Sequence, residues 1–562
     1  MTIFKSSFPD VTIPDIDIFS FLFPKKLPSH RVGRTAYVDS LTGKTISHDA
    51  LKGLCEDLAA ALVGRFGVKE GSVVGIFSPN DLAYPLAFLA PLRVGGITTT
   101  NNVSNNTEEE LVHQLTDSSA SVLFTHPNVF ALAVRAGKTA GINKDKLILF
   151  SRDDKDPEQK AIPTVWELLA EWGAKRKQGK APLPAFRLGA EAKKRVAILA
   201  YSSGTTGRSK GVMISHTNVV ANITQLELFD REETKANPTP SCTAVLPMYH
   251  IYGIVYFLHY NIFRGCLTVI FQKFEPVVFL EACQKYKCSI LYLVPPLVLF
   301  LAQSPLVDKY DLTAVRCIYS AAAPLPWESV VQLQKRKTLK NWHLVQGWGM
   351  TESCVAVTNS PMPGNRESSV GIILPSQEVK LVDPDTGRVV GVGEEGELLV
   401  RGPNITLGYL NNAKATAETY DADGFLHTGD IGVFEPDGHL QIKDRIKELI
   451  KVKGLQVAPA ELEAVLLGHP AVADSCVVQV PDERSGELPR AYVVLHANVD
   501  SSNGTRDSIY KHVSKHLARH KWLDGGIKFV ESVPKSPSGK ILRRYLRDQA
   551  KKEWAAEKSA KL

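Results

Sequence analysis

The sequence predicts an α/β protein, with a large N-terminal domain of two α/β subdomains plus a small β subdomain, followed by a small α+β C-terminal domain. Three observations predict it. Short β-rich runs alternate with helical patterns over most of the chain, the rhythm breaks between Val379 and Gly408 into strands punctuated by Gly, Pro and Asp, and a self-contained segment of mixed pattern closes the chain. A length of 562 residues is also too great for a single core.

Taken in order, SVVGIFSPN reads as a buried strand, LAYPLAFLAPLRVG as an apolar helix and SASVLFTHP as a second strand. From Arg195 the runs VAILAYSS, TAVLPM, LTVIF, CSILYLVP and AVRCIYSAA have strand length and β-branched or aromatic content, with longer helical patterns between them. These make two α/β halves. The run VKLVDPDTGRVVGVGEEGELLVRGP then gives a small antiparallel unit. After HLQIKDRIKELIKVKG come a helix, PAELEAVLLGH, two strands, DSCVVQVP and RAYVVLHA, and a Lys-rich end. The expected boundaries are a domain over residues 1–443, a hinge over 444–447 beginning at Asp444, and a C-terminal domain over 448–562.

Composition excludes several classes of function. Apolar residues at 44% and charged residues at 22% describe a globular chain. A formal net charge of +7, spread along the sequence, does not build a nucleic-acid surface, although a polyanionic small molecule suits it. Eight cysteines stand far apart without metal-ligand spacing and read as reduced core thiols. The stretch ILYLVPPLVLFLA is too short for a membrane span and is broken by Pro295 and Pro296, so a buried strand and helix are expected. The opening MTIFKSSFPDVTIPDIDIF carries acidic residues and prolines where a secretory signal needs an apolar run, so no export is expected. The ending Ala560-Lys561-Leu562 lacks one hydroxyl relative to the peroxisomal address Ser-Lys-Leu, which makes the peroxisomal import receptor an expected partner and the cytoplasm the other location.

The densest motif is Ser202-Ser203-Gly204-Thr205-Thr206-Gly207-Arg208-Ser209-Lys210-Gly211, after a buried strand and before the helical run HTNVVANITQL. Its glycines let backbone N–H groups approach phosphate oxygens, its hydroxyls add donors, and Lys210 offsets phosphate charge. No Gly-Lys-Ser/Thr stands at Walker spacing, so an ordinary nucleotide hydrolase is disfavoured.

A Ser/Thr/Gly loop ending in Lys-Gly resembles the signature of the adenylate-forming superfamily, and further motifs follow in that family's order. These are Pro247-Met248-Tyr249-His250-Ile251-Tyr252, Ala321-Ala322-Ala323-Pro324-Leu325, Gln346-Gly347-Trp348-Gly349-Met350-Thr351-Glu352, Thr428-Gly429-Asp430 and Asp444-Arg445-Ile446-Lys447-Glu448. PMYHIY together with KELIKVKGLQVAPAELEA looks most like the 4-coumarate:CoA ligase branch.

The resemblance implies an acid:CoA ligase that uses ATP, Mg²⁺ and coenzyme A, with a mobile C-terminal domain. Carried over by position, Ser202, Ser203, Gly204, Thr205, Thr206 and Lys210 meet the phosphates, and Gln346, Gly347, Thr351 and Lys447 belong to the nucleotide site. Asp430 resembles the acceptor of both ribose hydroxyls, Arg445 a ribose and phosphate contact, and Glu352 the magnesium-binding carboxylate. Lys540 resembles the mobile lysine that bridges carboxylate and α-phosphate, His250 a side chain beside the acyl carboxylate, and Lys451 a residue of the ligase chemistry. Lys273, Lys453 and Gly454 match positions that meet coenzyme A. Ala322 falls where adenine and acyl pockets join, and Tyr252, Tyr256, Trp348, Gly349, Val355 and Ala356 fall in the acyl pocket.

Three departures stand out: Ser209 replaces a common proline, Ala321 a glycine and Trp348 the usual tyrosine. They leave every charged position filled and leave the acid open among hydroxycinnamates, phenylacetate-type aryl acids and medium-chain fatty acids. Two other outcomes share the same first half-reaction, a luciferase-type oxygenase and a carrier-loading enzyme. Tyr249 stands where the former usually has a second histidine, and Lys273, Lys453 and Gly454 favour free coenzyme A over a tethered thiol. A nucleotide-binding scaffold without catalysis is the blandest alternative.

Overall fold

The computed structural model describes residues 2–103, 107–202, 208–323, 325, 327–363, 366–453, 455–482, 484–536 and 539–559. Its strands form four sheets. The first, of six strands, runs in the order Leu147–Leu149, Ala120–Thr125, Val73–Phe77, Ile97–Thr100, Val196–Ser202 and Lys210–Ser215. Its interior pairs are parallel, and only the last pair is antiparallel. The helix Tyr84–Leu92, buried along its whole length, packs between the layers, which explains a sequence apolar on every side.

The second sheet, of nine strands, has the parallel run His343–Trp348, Cys317–Ser320, Ile290–Leu293, Ser241–Ala244, Leu267–Ile270 and Thr35–Asp39 at its centre. Two strands change layer relative to a simple division of the chain. Val196–Ser202 begins the second half in sequence yet pairs with Ile97–Thr100 in the first sheet, while Thr35–Asp39 pairs with Leu267–Ile270 in the second. Local periodicity specifies that these segments are strands but not which distant edge they join.

The third sheet is antiparallel and holds Glu378–Val382, Gly396–Arg401, Leu426–Phe434 and Leu440–Arg445, with Phe4–Lys5 added at one edge. Phe4 stacks on Phe434 with ring centroids 4.2 Å apart, so the N-terminal segment is anchored on this sheet. In the C-terminal part, Val472–Asp482 and Gly486–Leu495 form a long hairpin, and Ile527–Phe529 runs parallel to its second strand. The helices Pro459–Leu467 and Asn503–His516 bury Leu462, Leu466, Ile509 and Val513 against that sheet. Arg543, at the start of the last helix, pairs with Glu448 at 2.9 Å and with Glu463, which ties the segment after Asp444 to the end of the chain.

Ile290–Leu293 and Pro295–Gln303 are the strand and helix expected of the apolar stretch. No helix among the described residues is long and apolar enough to cross a membrane. All eight cysteines are buried and free.

Candidate active site

The helix expected over HTNVVANITQL begins at His216, as the sequence predicts, and a strand that the sequence reading did not assign precedes it. Lys210–Ser215 is a strand antiparallel to Val196–Ser202, with Ser202 opposite Lys210. The run Gly211-Val212-Met213-Ile214 is apolar and β-prone, which suits its pairing with Val196–Ser202. The helix N-terminus is closed by its own capping box, in which Ser215 Oγ accepts from Asn218 N–H at 3.1 Å and Asn218 Oδ1 accepts from Ser215 N–H at 2.8 Å. Ser203, Gly204, Thr205 and Thr206 lie outside the described residues, as do Gly454 and the C-terminal Ala560, Lys561 and Leu562.

Lys210 Nζ lies 4.5 Å from the centre of the Tyr409 ring, and the Tyr409 hydroxyl donates to Glu352 Oε1 at 2.9 Å. One tyrosine thus links the cation of the phosphate loop to the buried carboxylate expected at the metal position. Thr351 and Glu352 occupy the short helical turn Thr351–Ser353 that follows the strand His343–Trp348. On that strand, Gln346 donates to the Ser369 carbonyl at 3.2 Å, and a Cβ at Gly347 would stand 2.3 Å from Asn359 Oδ1.

Asp430 is buried in the strand Leu426–Phe434 and faces Arg445 across the sheet. Its Oδ1 accepts from Arg445 Nε at 2.9 Å and its Oδ2 from Trp348 Nε1 at 2.9 Å. The Trp348 ring packs with Val357, Ile373, Val379 and Leu398 in the core of the antiparallel sheet. Trp348, expected in the acyl pocket with the tyrosines, thus turns its N–H to Asp430 and packs in this core. The indole N–H needs a buried acceptor, and Asp430 supplies it.

His250 caps the helix Ile251–Val255, its Nδ1 accepting from Tyr252 N–H at 3.3 Å. That bond leaves the ring proton on Nε2. Burial, with Lys540 nearby, pushes the imidazole pKa down to about 4, so the ring is neutral at ordinary pH. Gly253 is required here, because a Cβ at this position would stand 2.2 Å from the Pro247 carbonyl oxygen. Tyr252 and Tyr256 are buried below His250 with ring centroids 5.1 Å apart. Ala322, Cys354 and Val355 all have positive φ, +89° at Val355, a conformation unusual for a β-branched residue and of the kind found at functional sites. Gly349 permits the Val355 turn, since its Cβ would otherwise meet the Val355 carbonyl at 1.7 Å. The Ala356 carbonyl is held by Asn222 and Gln377 at 3.0 and 3.1 Å.

Lys540 reaches this cluster from the far end of the chain. Gly539 adopts a φ of +76°, and a Cβ there would stand 3.1 Å from the Val294 side chain, so the loop docks on the strand end that precedes Pro295–Gln303. Ser536 Oγ accepts from Lys540 N–H at 3.1 Å and fixes the turn. Burial and the charge of Arg445 push the Lys540 pKa down to about 8, while Glu448, Asp430 and Glu352 pull it back up. Lys540, His250, Arg445, Asp430 and Glu352 therefore share one electrostatic neighbourhood although they are spread over most of the sequence.

The remaining expected residues stand elsewhere. Lys451 and Lys453 are exposed on the hairpin Ile450–Val452 and Leu455–Val457, and Lys273 is exposed and paired with Glu275 at 2.7 Å. Lys447 is exposed. Asp444, expected as the hinge, lies in the strand Leu440–Arg445, and its Oδ2 accepts from Ala460 N–H at 3.0 Å. Tyr409 and the buried tyrosines Tyr292 and Tyr319 belong to no motif that pointed to them. A tyrosine inside the aliphatic run ILYLVPP was the available signal, because a buried hydroxyl needs a partner.

Comparison with known proteins places the chain in a family. The model of the AMP-binding enzyme family matches residues 25–410, and that of the AMP-binding enzyme C-terminal domain matches residues 461–540. The chain is 38% identical over 553 residues to Probable 4-coumarate--CoA ligase 1 of Dictyostelium discoideum, covering 97% of this chain and 98% of that protein. It is 37% identical to 4-coumarate--CoA ligase 5 of Oryza sativa subsp. japonica, with 97% of each chain covered. The solved structure of ATP-bound MatB from Rhodopseudomonas palustris superposes with a TM-score of 0.81 at 26% identity, over 95% of this chain and 99% of that one. The chain therefore belongs to the AMP-binding enzyme family, as an AMP-forming acid–CoA ligase of the 4-coumarate–CoA ligase-like kind.

Proposed function

We propose that this protein joins a carboxylic acid to coenzyme A in two steps on one site, through an acyl-adenylate. A carboxylate oxygen attacks the α-phosphorus of ATP, the bond to the bridging oxygen breaks, and pyrophosphate leaves. The coenzyme A sulfur then attacks the acyl carbon, AMP departs with the electron pair, and the thiol proton goes to solvent. The acid is an aryl acid of the hydroxycinnamate or phenylacetate type, or a medium-chain fatty acid.

The observation that carries this reading is the convergence of Lys540 with His250, Arg445, Asp430 and Glu352. Protonated Lys540 suits the charge that builds between the carboxylate and the α-phosphate, and the His250 Nε2–H can orient the acyl carboxylate without competing for its proton. Asp430 offers acceptor capacity to the ribose while Arg445 holds it in place. Glu352 fits Mg²⁺, a hard cation that takes one or two carboxylates and leaves its other positions to water and phosphate. Among the described residues no group of three acidic or soft ligands is present, which suits an ion shared with a triphosphate rather than one held by the chain alone. When bound, that ion offsets phosphate charge. Lys451 and Lys453, exposed on a different segment from Lys540, are the residues that a rotation at Asp444 would bring to the site for the thiol step.

Purified protein mixed with ATP, Mg²⁺, coenzyme A and a panel of aryl and fatty acids is expected to form AMP and acyl-CoA in equal amounts, read by mass spectrometry. Acyl-adenylate without thioester would transfer the protein to the oxygenase or carrier-loading class.

The pH dependence has a defined sign. Because the Lys540 pKa lies near 8 and His250 stays neutral above about 4, kcat/KM for adenylation is expected to fall as pH rises through 8, where the lysine loses its proton. Bound triphosphate is anionic and favours the charged lysine, so the corresponding limb in kcat lies at higher pH. ATP–pyrophosphate exchange followed across the pH range checks this, and a flat profile would remove the charge on Lys540 from the mechanism.

A further inference from the structure

The helical rod that starts at His250 carries Tyr252, Tyr256, Tyr260 and Arg264 at intervals of four, and its middle turn, Tyr256–Tyr260, is π-helical. Wide turns of this kind often mark functional segments. Tyr256 meets Tyr292 at 4.9 Å and Tyr319 at 6.0 Å between ring centroids, and Tyr292 meets Tyr319 at 4.9 Å. All three rings are at most 3% exposed. Tyr292 and Tyr319 are register partners on adjacent parallel strands, and the three rings pack at tilted angles of 39–57° to one another.

Behind this layer sits a buried carboxylate. Asp230 Oδ2 accepts from the Tyr260 hydroxyl at 2.9 Å and from the Tyr319 hydroxyl at 3.3 Å, which links the helix end after Phe229, the pocket helix and the strand Cys317–Ser320. Arg264 stands over the Tyr260 ring at 5.6 Å and offsets the charge of Asp230. A buried acceptor shared by two hydroxyls holds both rings in one rotamer, because turning either away leaves the carboxylate short of a donor.

We infer that Tyr256, Tyr292 and Tyr319 form a closed floor to the acyl site, that Asp230 is the positioning residue that locks it, and that the floor restricts the substrate to acids about as long as a single-ring aryl acid. The inference rests on the acyl site proposed beside His250. From His250 to Tyr256 the helix advances six residues, or about 9 Å at the usual rise. That depth holds one aromatic ring with a short arm and ends before the extended tail of a longer fatty acid.

The test compares kcat/KM over linear acids from butanoate to hexadecanoate and over single-ring aryl acids, for the wild type, Tyr256→Ala and Tyr319→Phe. The wild type is expected to prefer single-ring or short acids to dodecanoate. Tyr256→Ala should raise the ratio of dodecanoate to single-ring acid at least about tenfold, the scale of a few apolar groups gained in a pocket. Tyr319→Phe keeps the ring and loses the tether, and it should shift the same ratio in the same direction with KM for ATP unchanged, which a general loss of stability would not do. Efficient use of dodecanoate by the wild type, or an unchanged ratio in both variants, would overturn the floor. ATP–pyrophosphate exchange in the same preparations separates the two readings. Exchange with an unaltered length profile removes only the floor, whereas no exchange with any acid removes the ligase reading and the floor with it.

Discussion

Replacing Lys540 with alanine is expected to slow acyl-adenylate formation by roughly 10²–10³-fold, the scale of removing one preorganised charged donor from a transition state. Thioester formation from supplied acyl-adenylate should be nearly untouched. The reason lies in the Lys540 loop, where Gly539 docks against Val294 and the lysine stands among His250, Arg445, Asp430 and Glu352. A cation in that position meets the most negative charge while carboxylate and α-phosphate react, and once pyrophosphate has gone the substrate leaves it only the single charge of the adenylate phosphate to offset. Two measurements check it: single-turnover adenylation with ATP, and single-turnover acyl transfer from synthetic acyl-adenylate to coenzyme A. Equal losses in the two half-reactions would show that the loop supports the fold of the site and not one step.

Replacing Asp430 with alanine should act on the nucleotide. The carboxylate accepts from Trp348 Nε1 and Arg445 Nε, and its remaining lone pairs are those assigned to the ribose hydroxyls. Hydrogen bonds to a charged group are worth about 1.5–3 kcal/mol each, so loss of the ribose contacts together with the placement of Arg445 is expected to raise KM for ATP on the order of 10²-fold. The indole N–H, left without its acceptor in a buried site, should cost about 1–3 kcal/mol of stability as well. An ATP titration of the exchange reaction and a urea unfolding curve separate the two effects. Lower stability with an unchanged KM would reduce Asp430 to a bracket for Trp348.

The grouping of Asp430 with Arg445 and of Thr351 with Glu352 follows motifs that were legible in the chain. Asp430 and Arg445, from two of the ordered motifs, stand opposite each other in register, and Thr351 and Glu352, from a third, leave the end of a strand together. Short motifs carry such information because a few neighbouring residues fix both the turn and the side chains on it. The partner of Trp348 was not legible, for the converse reason. Trp348 lies in a motif, but its direction depends on whether Asp430 or the acyl pocket offers its N–H an acceptor, and that partner is distant in sequence. Tyr409 likewise acquires its place only when the segment after Ile405 folds back on Lys210 and Glu352.

By itself the sequence determined the α/β class, the strands and most helices, the absence of metal-ligand spacing among the cysteines, and the family to which the chain belongs, because periodicity and short motifs are local properties. Tertiary structure alone decided the exchange of Thr35–Asp39 and Val196–Ser202 between sheets, the pairing of Lys210–Ser215 with Val196–Ser202, the turn of Trp348 towards Asp430, and the meeting of Tyr256, Tyr292 and Tyr319 over Asp230. Each of these depends on which remote edge, acceptor or ring is brought alongside, and burial and hydrogen-bond satisfaction make that choice only when the whole chain has packed.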